Sequence, residues 1–571
     1  MRKKISKISL GGFLAVLGLA FLATLHLYLI SKTFYIDPSG NFRTAVAGYG
    51  DIPLHLTQIS KFAFTKWNLM DPIYAGARLQ YPFILSLICG VILKATHSWS
   101  LSVLGPVYLL ATANIVLLFI IYKKILKKSL WSFLAVLIFF FGGGMGAYRY
   151  IKDAITNHQS FHQFSAMLIE KSVSTISKWD AVYPNQNLAY GSPISLVFLH
   201  QRTFFLGLFG FLVFLWLLFK LFDRAQIKYA ILVGIILGLL PLWHTHAYVA
   251  AMIVAMIGLV VAFAENNKIL TKLIGLAIGA GIILAIPQLW YLMSSKNALG
   301  PDSSFLALRL GWMVAPTIGA VTFGGSNHTI FSLAYLKFLW VNFGLILPLF
   351  IAAATIVKKN MWLKISFFSG LALFLAVMFI RFQPWDYDNN KILVYFQVLA
   401  APVITYLLMK IYERFKLSGV IAIVAISILL LYSGLLDNLP RFMVFKESTP
   451  IIFDTNAQKM ADYIKSNIPE QDQILTGNTH LNLVSSLAGR EVLEGYPGWL
   501  WTRGIDYGPR EDDIKSFYAN PSPESPTVSK YSIKYILLDD QARYDFGADP
   551  TIFDQTFSKV YEIGDYSLYR I

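Results

Sequence analysis

One aspartate stands in a setting that suits acid–base chemistry. Asp51 lies in the stretch "GYGDIPLH", after two glycines that let the chain bend and two residues before Pro53. A positioned carboxylate can take the proton from a hydroxyl group, as a general base. An aspartate close before a proline is also a common helix start, where its carboxylate caps the first turn. A capping residue can still act as a base, so the sequence supports both roles, and His55 follows one helical turn later.

Two further stretches place polar side chains at the ends of apolar segments. Gln201 and Arg202 occur in "HQRTFFLG", and His244 and His246 occur in "PLWHTHAY". Ionisable groups at the edge of a membrane segment are costly and therefore indicate function. Arg202 can also extend its guanidinium to the membrane surface, and each histidine can be a hydrogen-bonded part of a helix turn. The sequence leaves these alternatives open.

A third stretch, "RFQPWDYDNNK", is a dense polar cluster between two apolar segments. Its candidate binding residues are Arg381, Trp385, Asp386, Asp388, Asn389 and Lys391. Carboxylates, amides and an indole in one short turn suit sugar hydroxyl groups or a bound cation. The His-x-His pair and the carboxylates could also bind a divalent metal, although no spacing here fixes a ligand set. The cofactor is therefore unknown, and a divalent cation is one option.

The composition predicts a membrane protein. Of 571 residues, 56% are hydrophobic and 14% are charged, and the mean hydropathy is +0.56. Soluble domains carry about a quarter charged residues, and apolar runs of ~18 residues or more recur along this chain. The net charge of +16 comes from short basic loops that set topology, so nucleic acid is not predicted as a partner. Cys89 is the single cysteine, which excludes a disulfide within the chain.

Apolar segments predict about eleven membrane spans. They are Ile8–Ile30, Leu101–Tyr122, Leu130–Tyr148, Thr203–Phe222, Tyr229–Trp243, Ala247–Phe263, Leu273–Met293, Leu333–Ile356, Met361–Ile380, Ile392–Lys410 and Ser418–Leu436. The first segment lacks a clear cleavage site and is predicted to be a retained span. With the N-terminus in the cytoplasm, every lysine-rich loop also falls on the cytoplasmic side. The polar stretches described above then lie on the outer face of a cell membrane.

Two stretches do not fit the pattern of regular spans: one is a short apolar segment and the other is rich in glycine. "YPFILSLICGVILKA", Tyr81–Ala95, is short for a span, so we predict an outer juxtamembrane helix, with a short tilted span as the alternative. "GGGMG" at Gly142–Gly146 lacks the Lys and Ser/Thr of a phosphate-binding loop. Those glycines are instead typical of tight helix packing.

The last part of the chain has a different character. From about residue 442, charge and proline increase and no apolar run reaches spanning length. "NAQKMADYIKSNIP" and "REDDIKSFYAN" have helical patterns, and "QILTG", "REVLEGY", "KYILLDD" and "YSLYRI" are predicted strands. Helices alternating with short strands indicate an α/β domain with a mainly parallel sheet. We predict a polytopic α-helical membrane domain over residues 1–441 and an extracytoplasmic α/β domain over residues 442–571.

These features together resemble the GT-C glycosyltransferases, which include the protein O-mannosyltransferases, the aminoarabinose transferases of lipid A and the oligosaccharyltransferases. The resemblance rests on the many spans, on the acid in "GYGDIPLH", and on "LQYPFILSLICGVILK" after it. It implies a polyprenyl-phosphate sugar donor and a catalytic acid in the first outer loop, which here is Asp51. The superfamily often has paired acids in that loop, whereas the next acid here is Asp71, twenty residues further on.

The leading prediction is an inverting hexosyl- or pentosyltransferase on the outer face of the membrane. Asp51 would deprotonate the acceptor hydroxyl of a glycan, lipid or protein, while Arg202 and Lys391, with His244 or His246, neutralise the departing lipid phosphate. One alternative is a transporter or flippase of lipid-linked saccharides, although spans nearly free of charge argue against ion coupling. Another alternative is a non-catalytic membrane protein with an outer α/β binding module.

Overall fold

The computed structural model describes residues 9–45, 48–163, 165, 191–293, 306–308, 310–313, 333–443 and 449–571. The α-helices of the first 443 residues are Leu10–Ser31, Ile52–Phe64, Ile84–Thr96, Trp99–Leu126, Ser129–Phe141, Gly146–Thr156, Arg202–Arg224, Ile227–Trp243, Thr245–Ala264, Lys268–Met293, Leu333–Phe343, Ile346–Ala352, Met361–Phe379 and Asn390–Met443. The later α-helices are Thr455–Asn467, Leu483–Ser486, Pro497–Thr502, Gly508–Ala519, Pro526–Tyr531, Asp540–Tyr544 and Pro550–Thr556. Shorter helical turns are Ile194–Phe198, Ala353–Thr355, Val357–Lys359 and Asp386–Asn389.

Seven helices in the described part of the chain are long and apolar enough to cross a membrane, or eight when one bent pair counts as a span. The seven are Leu10–Ser31, Trp99–Leu126, Arg202–Arg224, Thr245–Ala264, Lys268–Met293, Met361–Phe379 and Tyr387–Leu439. The bent pair, Tyr335–Phe343 and Ile346–Thr355, turns through 94° within one predicted span. The predicted number of eleven is therefore not confirmed, although the chain is a multi-pass membrane protein.

The lower number has identifiable local causes. Residues 392–410 and 418–436, predicted as two spans, lie in two helices that meet at a kink at Lys416, where φ is 49° and ψ is −119°, and together they count as one of the seven. The helix Ile227–Trp243 has only 17 residues. The predicted span Leu130–Tyr148 is broken, because the helix that begins at Ser129 ends at Phe141 and a new helix begins at Gly146.

The break after Phe141 is stabilised by a side chain from a later helix. The Gln397 amide nitrogen donates to the carbonyl groups of Ile138, Phe139 and Gly142 at 2.9–3.0 Å, which satisfies acceptors that a helix end leaves open. A Cβ atom at Gly144 would overlap the Val341 and Asn342 carbonyl groups. The glycines thus allow close backbone packing, as predicted, but at a chain break and not inside a helix.

The chain divides into two compact units. The helical unit comprises Met1–Ile30, Tyr108–Pro287 and Leu306–Ser448. The mixed unit comprises Ser31–Val107, Gln288–Phe305 and Thr449–Ile571. The predicted boundary after residue 441 follows the change in composition, whereas packing also places the first loop with the C-terminal segment.

A small antiparallel sheet joins the first loop to the C-terminal segment within the mixed unit. Its strands are β1 (Tyr35–Ile36), β2 (Phe42–Arg43) and, much later in the chain, β5 (Ile451–Phe453), in the order β1-β2-β5. Phe42 lies opposite Phe453. The Arg43 guanidinium donates to the Thr449 carbonyl at 2.8 Å. Another small sheet pairs β3 (Ala307–Leu308) with β4 (Ile380–Arg381) in the helical unit.

The largest sheet of the mixed unit has four strands in the order β6-β7-β9-β8. They are β6 (Gln473–Leu475), β7 (Ile533–Leu538), β8 (Ser558–Ile563) and β9 (Tyr566–Arg570). Only β6 and β7 pair in parallel, while β7 with β9 and β8 with β9 are antiparallel. The prediction of a mainly parallel sheet was wrong, because a hairpin after residue 557 supplies half of the strands.

The helices and strands around this sheet agree with those predicted from the sequence, except for one strand. Helices form at Thr455–Asn467 and Gly508–Ala519, where helical patterns predicted them. The predicted strand "REVLEGY" is absent from the described residues, where Val492 makes only an isolated bridge with Ile474. Large side chains such as Phe517, Tyr518 and Phe553 fill the core between the helices and the sheet. Burial of this kind is the main source of stability for the module.

Candidate active site

Asp51 occupies the N-cap position of the helix Ile52–Phe64, with Pro53 in the first turn, as the sequence predicted. Its backbone dihedral angles are φ −106° and ψ −33°, and its side chain makes no capping hydrogen bond. The main chain makes the local contacts instead: its carbonyl accepts from the His55 N–H at 3.2 Å. The capping role considered for the carboxylate is therefore not observed.

The helix that starts at Asp51 is held tightly by the C-terminal segment of the mixed unit. Residues 52–63 are all buried. The Ser60 hydroxyl donates to the Ser486 carbonyl at 2.6 Å, and Lys61 pairs with Glu491 at 2.7 Å. His55 is also buried, with its ring centroid 6.3 Å from that of Tyr81. Asp51 is thus fixed at the start of a rigid element, as a positioned base requires.

The apolar stretch after this helix packs with it. It forms the helix Ile84–Thr96, which has 13 residues and is short for a membrane span. Gly90 faces Phe62 and Ile59, where a larger residue would collide with the backbone. This short helix fits the predicted outer juxtamembrane helix better than a tilted span.

Asp71, the next acid of the first loop, has a structural role. It is completely buried and forms an ion pair with Arg503. Its other oxygen accepts from the Ile73 N–H at 3.2 Å. Both oxygens are therefore engaged in holding the loop, unlike those of a carboxylate that must accept a substrate proton.

The helical unit brings together several of the other candidate residues. His244 and His246 flank the junction of two helices with ring centroids 5.2 Å apart. Lys391 lies close enough to both rings to interact electrostatically and pairs with Asp388 at 3.0 Å. Lys391 and Asp388 are both largely buried, at 9% and 8% exposure. The stretches 244–246 and 388–391 therefore form one polar cluster, the His–Lys cluster.

Two neutral residues that the sequence did not single out complete the His–Lys cluster. The Gln383 amide nitrogen lies 3.1 Å from Nε2 of His246. The Tyr395 hydroxyl lies 3.3 Å from Nδ1 of His244, which also accepts from the Ala247 N–H at 3.3 Å. Because Nδ1 of His244 accepts, the proton of the neutral ring is assigned to Nε2. His244 can therefore donate a hydrogen bond from Nε2 to a ligand oxygen.

The remaining residues of the stretch 381–391 shape the loop. The Asn389 side chain donates to the Ile380 carbonyl at 2.8 Å and accepts from the Phe382 N–H at 3.1 Å, which closes the loop. Arg381 ends the short strand β4. The Trp385 ring lies 5.1 Å from that of Tyr387. Asp386 lies in the helical turn 386–389, and its side chain is outside the described part of the structure.

Gln201 and Arg202 stand at the start of the helix Arg202–Arg224. Gln201 is its N-cap residue but makes no side-chain cap, and Arg202 is the first helical residue. Arg202 is 4% exposed, so its guanidinium does not lie at a water-facing surface of the helical unit. The interpretation of Arg202 as a surface-seeking side chain is thus not supported. Gly207, one turn later, lets His244 pack against this helix.

The His–Lys cluster holds a buried lysine, paired with Asp388, and neutral donors. A lysine, histidine N–H groups and amide donors are the groups that stabilise charge on a phosphate oxygen. Among the described residues, no three His, Cys, Asp or Glu side chains are grouped as a metal site. The divalent cation considered from the sequence stays a prediction.

A second polar cluster, which the sequence did not indicate, lies in the mixed unit. The Asn478 amide nitrogen donates to Glu494 at 3.0 Å and to Glu511 at 3.2 Å, and the Asn478 oxygen accepts from Gln541 at 3.0 Å. Burial raises the pKa of Glu494 to about 8, with Glu511 adding to the effect. Glu494 is therefore largely protonated at neutral pH.

A bundle of apolar helices with buried polar clusters defines the class: a multi-pass helical membrane protein with a mixed α/β unit. No protein-family model matches the sequence, and no curated protein is similar to it in sequence. Solved structures nevertheless have a similar fold.

The fold is similar to that of an oligosaccharyltransferase from Archaeoglobus fulgidus. The apo form of that enzyme has a TM-score of 0.51 and 11% identity over 96% of this chain and 73% of its own. The same archaeal enzyme, AglB, in complex with an inhibitory peptide and a dolichol-phosphate, gives a TM-score of 0.51 and 12% identity over 96% and 72%. ArnT from Cupriavidus metallidurans bound to undecaprenyl phosphate gives a TM-score of 0.48 and 10% identity over 98% of both chains. The similarity to the archaeal oligosaccharyltransferase is one of fold, and it agrees with the resemblance drawn from the sequence.

Proposed function

We propose that this chain is a membrane glycosyltransferase that moves a sugar from a polyprenyl-phosphate donor to an acceptor hydroxyl on the outer face of the membrane. Asp51 is the general base. The observation that carries this proposal is the position of Asp51, at the start of a helix whose residues 52–63 are all buried. The archaeal oligosaccharyltransferase of similar fold has been captured with a dolichol-phosphate and an inhibitory peptide, which agrees with a lipid-phosphate donor.

The reaction is a single displacement at the anomeric carbon of the donor sugar. The acceptor oxygen forms a bond to that carbon while its proton passes to the Asp51 carboxylate. The bond between the anomeric carbon and the phosphate oxygen breaks, and the lipid phosphate leaves with the electron pair. Lys391, Arg202 and the Nε2–H group of His244 are the groups proposed to bind the departing phosphate.

Substitution of Asp51 by Asn tests the proposal. Because Asn keeps the size of the side chain but cannot accept the acceptor proton, sugar transfer should fall by roughly two to four orders of magnitude. Stability should change little, since Asn keeps the size of the side chain and stands at a helix N-terminus about as well as Asp. The measurements are sugar transfer from a polyprenyl-phosphate sugar and thermal unfolding, both on purified protein in lipid.

Asp454 provides a matched control in the same unit. It is the N-cap of the helix Thr455–Asn467, and its carboxylate accepts from the Ala457 N–H at 2.7 Å. Asn caps helices about as well as Asp, so Asp454→Asn should leave both stability and transfer nearly unchanged. Near-normal transfer by Asp51→Asn would exclude Asp51 as the base. Asp71→Asn is less suitable, because it also breaks the ion pair with Arg503.

A further inference from the structure

Two loops at the edge of the four-stranded sheet contact each other through one polar pair and one aromatic pair of side chains. One loop follows β6 and contains Asn478 and His480; the other contains Glu494 and Tyr496. Asn478 bonds to Glu494 at 3.0 Å, and the ring of His480 lies 5.5 Å from that of Tyr496. Gln541 follows the parallel strand β7 and bonds to Asn478 at the same edge. Ligands of α/β sheets commonly bind outside the carboxyl ends of parallel strands.

Two side-chain oxygens around Asn478, one from Glu494 and one from Gln541, have no hydrogen-bond partner among the described residues. Glu494 is completely buried, and within the described part of the chain its Oε2 has no hydrogen-bond partner. Oε1 of Gln541 is likewise buried and unpartnered among the residues that the structure describes. Each such group costs stability, and a ligand hydroxyl is one partner that satisfies it. Since Asn478 donates to Oε1 of Glu494, a proton on the acid resides on Oε2. Oε2 of Glu494 is then a hydrogen-bond donor, and Oε1 of Gln541 is an acceptor.

The aromatic pair extends into a wall of four rings. The His480 ring lies 4.7 Å from that of Tyr49, and Tyr496 lies 5.5 Å from Trp499. The Trp499 indole donates to the Gly50 carbonyl at 3.0 Å, which fixes this wall to the residue before Asp51. Tyr496 is 41% exposed and thus offers part of its surface to a ligand.

We propose that these two loops form a binding site for a neutral saccharide. Its hydroxyl groups, each a donor and an acceptor, bond to Oε2 of Glu494 and Oε1 of Gln541, and the C–H face of its ring packs on Tyr496. An anionic ligand fits poorly, because Glu511 also faces Asn478 at 3.2 Å. The further step, that this saccharide is the glycan acceptor of the Asp51 reaction, rests on the proposed function and on Tyr49 standing two residues before Asp51.

The test is binding of three neutral disaccharides, cellobiose, maltose and mannobiose, to the full-length protein in nanodiscs without any sugar donor. Saturation-transfer NMR and tryptophan fluorescence report the affinity. Tyr496→Ala should weaken binding by about tenfold or more, because the stacking surface is lost. Tyr544→Ala, at an 81% exposed tyrosine of the same unit, is the matched control and should leave binding unchanged.

Glu494→Gln separates a saccharide from a cation as the ligand. Gln keeps an oxygen for Asn478 and a neutral donor in place of Oε2–H, so saccharide affinity should stay within about threefold. A calcium titration monitored by the same fluorescence should show no binding. Calcium binding that Glu494→Gln abolishes would overturn the proposal in favour of a cation site. Asn478→Ala should also weaken saccharide binding; if this buried variant does not fold, Tyr496→Ala decides alone.

Further outcomes overturn the saccharide site. The first is that no disaccharide binds at concentrations of tens of millimolar. The second is that wild type and Tyr496→Ala bind the disaccharides equally well. The third is that the protein prefers an uncharged, blocked Ser/Ala peptide and that Tyr496→Ala weakens the binding of this peptide. Failure of the proposed function is separate. If Asp51→Asn retains transfer while Tyr496→Ala loses disaccharide binding, the site stands and Asp51 is not the base. If disaccharides do not bind while Asp51→Asn abolishes transfer, the reverse holds.

Discussion

The buried ion pair Asp388–Lys391 contributes to the stability of the helical unit. Lys391→Met leaves the Asp388 carboxylate buried without its partner at 3.0 Å. Breaking a buried pair from one side costs ~3–5 kcal/mol, so we expect a marked loss of thermal stability. Transfer should fall as well, because Lys391 is a proposed phosphate ligand. Thermal unfolding and sugar transfer in the same lipid measure both effects.

Lys410 is a matched control for Lys391. It pairs with Glu413 at the same i,i+3 spacing and 2.5 Å, but both side chains are about 40% exposed. Exposed pairs contribute ~0–1 kcal/mol, so Lys410→Met should leave unfolding and transfer nearly unchanged. Equal effects of the two substitutions would contradict the view that burial gives Lys391 its importance.

Glu494 makes the stability of the mixed unit depend on pH. Burial raises its pKa from 4.5 in the unfolded chain to about 8, against the lowering effects of Arg510 and Lys515. The folded protein therefore holds this proton more tightly. The resulting stability is complete below pH 4.5 and is lost as the pH rises towards 8.

The expected result is a decrease in thermal stability between pH 5 and pH 8 that Glu494→Gln largely removes. Each unit of pKa difference corresponds to ~1.4 kcal/mol, so the change amounts to a few kcal/mol. Thermal unfolding across this range for wild type and variant measures it. Parallel pH profiles of the two proteins would show that Glu494 ionises normally.

Individual residues of the His–Lys cluster could be predicted from the sequence where a charged or ionisable side chain stands within an apolar stretch. Sequence reasoning selected Asp388, Lys391 and the two histidines, which the structure brings together. It did not find Gln383 and Tyr395, because neutral polar residues are common and carry no signal of their own. Asn478 and Gln541 are 63 residues apart, and such a pairing exists only once the sheet has formed.

At the scale of elements, backbone contacts decide where helices end. Gly144 lies where a Cβ atom would overlap two carbonyl groups of a neighbouring helix. Gly144→Ala should destabilise the protein by about 1–3 kcal/mol, because a rigid backbone must move. In contrast, Gly275 has nothing within 4 Å of a Cβ position inside the helix Lys268–Met293.

Gly275→Ala should therefore be neutral or stabilise the protein by ~0.5–1 kcal/mol, since alanine is the better helix former. Thermal unfolding of both variants checks the contrast. A neutral Gly144→Ala would show that the break after Phe141 does not depend on close packing. Hydropathy could not predict this break, because Leu130–Tyr148 contains no charged residue and the determining partners, Gln397 and Val341, lie about two hundred residues or more away.

At the scale of the whole molecule, the distribution of lysines predicts the topology. The N-terminus should be cytoplasmic and the mixed unit outside. In a protein with Cys89 replaced by Ala, Lys127→Cys should not react with a membrane-impermeant maleimide added to intact cells. Tyr544→Cys, on the exposed surface of the mixed unit, should react. Reaction of Lys127→Cys from outside would reverse the arrangement.

The sequence predicted a helical membrane part and an α/β part, since composition changes sharply near residue 442. It could not predict that residues 31–107 pack with the C-terminal segment, because composition does not report contacts between distant segments. The pairing of β2 with β5 and the ion pair of Asp71 with Arg503 carry that information.

This pairing of the two ends of the chain also has a consequence for synthesis. Arg43 leaves the ribosome about 400 residues before Thr449, the residue whose carbonyl it binds. At roughly 5–20 residues per second, the segment with Asp51 waits on the order of 20–80 s for its partner strand. A prematurely terminated chain would insert its helices but leave the first loop without β5 and the C-terminal segment that pack against it.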